Sequence, residues 1–313
     1  MTFDVTLCTW RVSSELPLPE ALPWQGNQDA PIDISIKLGP TPERLIGSCG
    51  GSDIKEFNNK GDFLLKFDGV ARYLVQNGTQ VTVDPACDLE RPDLRLLIQT
   101  KCLSVLAWQR GFIPFHGSVI NIAGQTVALI GQSGIGKSSL AMSLVKRGHR
   151  LLSEETVVTY QNINDANRIY ALPTLPNIRL WRDALQYLKL SPEGLRPDRL
   201  NHQKFHYNLS DRFDSQPRPL AAFLILNRNN AAGVSSRLLR GSEGAMHVAS
   251  QVLHPVFGGQ IGYSKEILRR CVEFSQQKRC FSLTSPKGVE NIPDLTTAIE
   301  KIAQDLSISD PAP

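Results

Sequence analysis

ALIGQSGIGKSSLAMSLVKRGHRLLSEETV, residues 128–157, decides how the chain is read. Gly131-Gln132-Ser133-Gly134-Ile135-Gly136-Lys137-Ser138 fits GxxxxGK[ST] without a gap. Glycines let successive backbone N–H groups curl around phosphate oxygens with no Cβ in the way. The helix that follows, beginning near Ser138 and Ser139, aims its positive end at the same anion. Lys137 is long enough to reach the β- and γ-phosphates, and the Ser138 hydroxyl suits a Mg2+ shell. By composition alone, a chance match in a chain of this length is on the order of one per cent. The bland reading is a glycine-rich turn with a surface lysine. Context decides against it, because a strand must enter the loop and an amphipathic helix must leave it. Residues 126–130 are apolar and β-branched, and Leu140, Met142, Leu144 and Val145 give the next segment an apolar stripe. Lys146 and Arg147 suit a last helical turn, with Gly148 as its cap. The segment predicts a nucleoside triphosphate site that holds ATP and Mg2+.

Working outward, residues 117–122 read as a strand paired to 126–130 through Ala123-Gly124. Residues 151–152 and 157–160 read as two further strands, and 220–226 as a buried one. Residues 162–219 are rich in Pro, Asn and Arg, with one short helix expected at 181–188. A helix at 294–306 carries Leu295, Ile299, Ile302 and Leu306 on one face, and the tail 307–313 is expected to fray. Toward the N-terminus, 3–10 and 32–38 read as single strands, followed by strands at 62–67, 71–75 and 79–83. Asn77-Gly78 supplies the positive φ values of a tight hairpin between the last two. Residues 94–110 read as a helix stopped by Gly111. The expected organisation is a β-rich module over 1–92 and an α/β catalytic domain over 93–313.

The 313 residues are 41% hydrophobic and 20% charged, ordinary for a globular protein. Lys plus Arg total 34 against 30 for Asp plus Glu, a net +4 that does not point to a nucleic-acid partner. There is no basic segment followed by an apolar core at the start, and no apolar run is long enough to cross a bilayer. Cys8, Cys49, Cys87, Cys102, Cys271 and Cys280 form no CxxC pair, so neither a zinc site nor a disulfide scaffold is expected. The expected setting is cytoplasmic, without a membrane partner. A homo-oligomer stays open.

The NKxD motif of GTPases and a motor-type hhhhD strand are not found. Acidic residues arrive instead at Glu154-Glu155, just beyond Gly148-His149-Arg150. With Pro114-Phe115-His116-Gly117 upstream, this stretch resembles the bacterial HPr serine kinase/phosphorylases. It looks most like their diverged relatives, among them kinases of lasso-peptide precursors. LPNIRLWRDAL (175–185) and PLAAFLIL (219–226) also look like those relatives. The resemblance is specific across 114–157. It implies a P-loop kinase domain akin to phosphoenolpyruvate carboxykinase and ATP- and Mg2+-dependent phosphorylation of a serine hydroxyl on a peptide or protein.

By the same resemblance, Glu154 takes the proton of the acceptor serine, and Glu155 with Ser138 seats the metal. Lys137 neutralises phosphate charge, and His116 approaches both the phosphates and the catalytic carboxylate. His149 reads as a structural helix-end residue and Trp181 as core, while Arg179 and Lys204 are candidates to touch phosphate or the peptide acceptor, with surface charges in a loop as the simpler reading. The chain departs from the family in having Glu-Glu where Asp-Asp is usual, and Ser139 where an acidic residue often stands. Arg240-Gly241-Ser242-Glu243 is a poor match to the signature associated with phosphorolysis and HPr docking. These departures point away from HPr itself as the acceptor. A metabolite kinase on the same scaffold and a nucleotide-binding regulator remain the alternatives.

Overall fold

At Asn77 and Gly78 the backbone turns with φ of 57° and 67°, and the strands Ala71–Gln76 and Gln80–Pro85 pair antiparallel on either side. The Gln109 carboxamide accepts the Gly78 N–H at 2.8 Å, which ties this hairpin to the helical segment that follows it. The computed structural model describes residues 2–165, 168–197, 203–230, 232–276 and 279–309. It is a mixed α/β chain that divides into two units. One comprises Met1–Pro114 with Leu253–Lys265, the other Phe115–Val252 with Glu266–Pro313.

The first unit carries a nine-stranded sheet that contains both strands of the Asn77-Gly78 hairpin. The stretch 3–10 is not one strand. Phe3–Leu7 and Trp10–Ser14 form a hairpin whose turn residues, Cys8 and Thr9, both have positive φ. Neither residue type favours that region, so a search for Asn-Gly or Asp-Gly passes over the turn. The expected helix at 94–110 spans Pro92–Leu97 and Leu103–Gln109 with one π turn between them. It falls in the first unit, so the division lies beyond it and not at 92/93. Residues 253–265 return to complete this core. The indole N–H of Trp108 donates to the Leu253 carbonyl at 2.7 Å, and Phe257 packs edge-on against Phe57 and Phe63 at 5.7 and 5.2 Å.

In the second unit, Gln125–Ile130 pairs antiparallel with Ile113–Ile122 and parallel with Arg218–Asn229. Arg218–Asn229 in turn runs parallel to Cys280–Pro286. All three parallel strands therefore end at the same edge, where ligands of parallel sheets collect. The loop 131–136 leaves the first of them and runs into the helix Lys137–Lys146. Leu140 and Leu144 on that helix are buried, as are Leu295 and Ile299 on Ile292–Ser309. Each such side chain contributes roughly 1.5–3 kcal/mol by leaving water. Arg147 and His149 both reach Glu300, at 2.7 and 2.9 Å, so the glycine-capped end of the loop helix is held against the C-terminal one. His149 is structural, as expected.

The expected strands at 151–152 and 157–160 are one strand, Arg150–Asn162. The segment 162–219 also holds more structure than its composition suggests. Asn177–Trp181, Arg196–Pro197 and Lys204–Asn208 form a separate three-stranded sheet. Gly241–Ala249 and Ser264–Gln276 are helices with no counterpart in the sequence reading. The C-terminal helix runs to Ser309, and the rest of the tail lies outside the described residues. All six cysteines are free. Among the described residues no helix is long and apolar enough to cross a membrane.

Candidate active site

The loop after Ile130 is shaped by glycine. Gly131 has φ of 146°, and a Cβ there would stand 2.9 Å from the Leu226 carbonyl of the neighbouring parallel strand. Gly136 has φ of 104°, and a Cβ would meet the Arg228 guanidinium at 2.8 Å. Between them the loop borders a cleft of about 300 Å3. Ser133 through Ser139 line it together with His116, Glu154, Glu155, Trp181, Lys204 and Arg228. Gly131 and Gln132 enter through their carbonyls, which accept the Lys137 ammonium at 2.8 and 2.9 Å. Lys137 is 7% exposed, and burial lowers its pKa against the opposing pull of Glu154 and Glu155.

Glu154 is held by two hydroxyls. Ser138 donates to one carboxylate oxygen at 2.5 Å, and Ser118, on the strand Ile113–Ile122, donates to the other. Burial raises its pKa, and these two hydrogen bonds only partly offset that. Glu155 is its opposite. Burial pushes its pKa up as well, but the charges of Arg179, His116 and Lys204 together bring it below the ordinary carboxylate value. The Arg179 guanidinium lies 2.9 Å from its carboxylate. Glu155 has φ of 66°, a conformation that L residues avoid and that concentrates at functional sites. Its carbonyl accepts the Nδ1–H of His116 at 3.2 Å, which fixes the proton on that ring nitrogen.

The structure thus gathers the loop, Lys137, Ser138, Ser139, Glu154, Glu155 and His116 around one cleft. Four further residues line it or reach into it: the sequence offers Arg179 and Lys204 as candidate contacts, and does not single out Trp181 or Arg228 for the site. Trp181 is not core but 36% exposed, because it ends the strand Asn177–Trp181 on the face opposite the buried Ile178 and Leu180. Lys204 sits over its ring, 5.2 Å from the centroid. Arg179 engages Glu155 and is no surface charge. Arg228 donates to the carbonyls of Ile135 at 2.9 Å and Gly288 at 2.6 Å. The parallel sheet is the signal for Arg228 and Gly288, since Arg228 stands at the end of the strand beside the loop strand and Gly288 follows the next strand over. For Arg179 and Trp181, the i, i+2 spacing in a strand shows only that they share a face.

Mg2+ takes oxygen ligands and usually needs only one or two from protein beside phosphate oxygens. The Ser138 hydroxyl and the two adjacent carboxylates are donors of that type. Among the described residues no cluster of three or more His, Cys, Asp or Glu is arranged around a metal position.

Residues 111–173 match the family model described as the HPr Serine kinase C-terminal domain. The HPr kinase/phosphorylase of Prosthecochloris aestuarii is 54% identical over 44 residues, 14% of this chain and 13% of the relative. HPr kinase/phosphorylase 1 of Oceanobacillus iheyensis is 48% identical over 58 residues, 18% of this chain and 19% of the relative. The chain therefore spans less than a fifth of the length of these relatives. Among solved structures, the Hpr(Ser) kinase/phosphatase from Coxiella burnetii aligns with a TM-score of 0.33 at 11% identity, over 64% of this chain and 99% of that one.

Proposed function

We propose that the chain is an ATP- and Mg2+-dependent phosphotransferase that phosphorylates a serine hydroxyl of a peptide or protein, on a P-loop domain of the HPr kinase type. The observation that carries this reading is the Ser138–Glu154 hydrogen bond. It places a carboxylate of raised pKa beside the hydroxyl of a phosphate-loop motif. Two neighbouring acids whose environments drive their pKa values apart are suited to different tasks. Glu154, the more basic, takes the proton of the acceptor alcohol. Its oxygen forms the new bond to the γ-phosphorus as the bridging bond to the β-phosphate breaks, and the electron pair leaves on ADP. Glu155, kept ionised by Arg179, helps Ser138 seat the metal.

Lys137 exchanges its two loop carbonyls for phosphate oxygens, and the amides of 131–139 hold the phosphates in line. His116 keeps the Glu155 peptide group oriented. When bound, Mg2+ would neutralise charge on the phosphate oxygens. A serine at the C-terminus of a precursor peptide is the finer form of this reading, on the strength of the sequence resemblance.

The test is transfer of label from γ-labelled ATP into a cell extract, read with variants. Lys137→Ala is expected to abolish transfer. Glu154→Gln should keep MgATP binding while lowering turnover by about two decades or more. Glu155→Gln should instead raise the Mg2+ concentration needed. Turnover near wild type in Glu154→Gln would remove that residue from the proton-accepting role.

A further inference from the structure

Strand register puts four side chains on one face of the small sheet. Arg179 and Trp181 alternate with the buried Ile178 and Leu180, so they share a side. Their antiparallel partners are His206 and Lys204 respectively. Arg179 fastens this face to Glu155 at 2.9 Å, so the sheet flanks the carboxylate pair. Trp181 and Lys204 both line the cleft. Among the described residues no carboxylate pairs with Lys204. Its ammonium rests on the Trp181 ring at 5.2 Å, a contact that holds a cation without neutralising it. Its charge is nonetheless felt at Lys137, where it opposes protonation, and at Glu155, where it opposes neutralisation.

A half-buried cation in a ligand cleft with no direct ion pair among the described residues is free to take an anion of the ligand. Two anions come to this cleft under the proposed reaction, the phosphates and whatever the acceptor brings. Lys137 and the loop amides already serve the phosphates. Lys204 stands on the sheet that Arg179 fastens to Glu155, and an alcohol giving its proton to the neighbouring carboxylate comes to that side of the cleft. We infer that Lys204, presented by Trp181, is a specificity residue that binds a carboxylate of the acceptor next to the reacting hydroxyl. The acceptor class is thus a serine bearing a nearby carboxylate, either its own terminal one or that of a neighbouring acidic residue. This inference rests on the phosphotransferase reading and deepens it.

O-Phospho-L-serine and O-phosphoethanolamine differ only in the carboxylate, so they are product-like probes of this point. Calorimetric titration of the full chain with Mg2+ and each compound is expected to show phosphoserine binding about tenfold tighter, the scale of one hydrogen bond to a charged group. Lys204→Met should erase that preference, and Lys204→Arg should restore most of it. Phosphoserine that does not bind, that binds no better than phosphoethanolamine, or whose preference survives Lys204→Met overturns the inference. Repeating the comparison with Ser-terminated peptides as free acid or amide, and with an internal Ser-Asp peptide, distinguishes the two sources of carboxylate. Failure of the wild-type chain to bind MgATP would instead strike the phosphotransferase reading, so the two failures are told apart.

Discussion

Replacing Glu154 by Gln is expected to separate stability from activity. Burial raises the pKa of this carboxyl in the folded chain, so folding favours its protonated form. The associated stability is fully present below the unfolded value of 4.5 and is lost as pH rises through the raised pKa. A glutamine keeps partners for Ser138 and Ser118 without the buried charge. Calorimetry should therefore find Glu154→Gln melting higher than wild type at pH 7, by roughly 2 °C or more, the scale of 1 kcal/mol in a chain of this size. At pH 4 the gap should close. Equal melting at pH 7 would mean that burial does not disfavour this charge. Glu155 has the opposite sign, with stability present above 4.5 and lost as pH falls through its depressed pKa. The residues of the loop were legible because phosphate imposes a fixed local pattern. Arg179 and Lys204 were legible only as candidates that read more simply as surface charges, and Trp181 and Arg228 not at all, because all four arrive from strands far apart in sequence. Nothing local marks a lone Arg or Trp as facing the cleft.

At the level of elements, the hairpin at Cys8-Thr9 shows what alternation alone cannot reveal. The pattern over 3–14 is continuous, yet the chain reverses within it through two residues of positive φ. Thr9 is β-branched and exposed, and such a residue at φ of 69° carries about 1 kcal/mol of steric cost. Thr9→Gly should relieve it, less the extra entropy glycine loses on folding, and move the urea midpoint upward, a net gain of about a few tenths of a kcal/mol in unfolding free energy. A lower midpoint would show that Thr9 makes compensating contacts. The strand Arg150–Asn162 is the reverse case. Ser153-Glu154-Glu155 breaks the apolar pattern and reads as a loop, yet the strand runs through it. Hydroxyls and Arg179 receive the two carboxylates, and tertiary partners override local propensity there. The Asn77-Gly78 hairpin and the loop helix needed no such override, and their sequences announced them.

For the whole molecule, the chain passes between its two units three times, after residues 114, 252 and 265. A boundary at 92/93 follows from composition, because the β-rich pattern stops there. The return of 253–265 leaves no such trace, since its contribution is a few aromatic and backbone contacts. A fragment ending at Pro114 would lack the Leu253 carbonyl that accepts the Trp108 indole and the Phe257 ring that covers Phe57 and Phe63. It is expected to lack a cooperative thermal transition, and adding residues 253–265 through a short flexible linker should restore one. Cooperative melting of the bare 1–114 fragment would show that the returning segment is dispensable.

The same arrangement sets an order of events on the ribosome. Residues 1–114 emerge first, but Phe257 follows only after some 140 more amino acids have been polymerised, on the order of ten to thirty seconds at ordinary elongation rates. Throughout that interval residues 1–114 of the nascent polypeptide wait with greasy rings uncovered. Residues 1–114 are thus made well before the segment that seals them, and a pause in elongation between those points would lengthen their exposure to chaperones and to self-association.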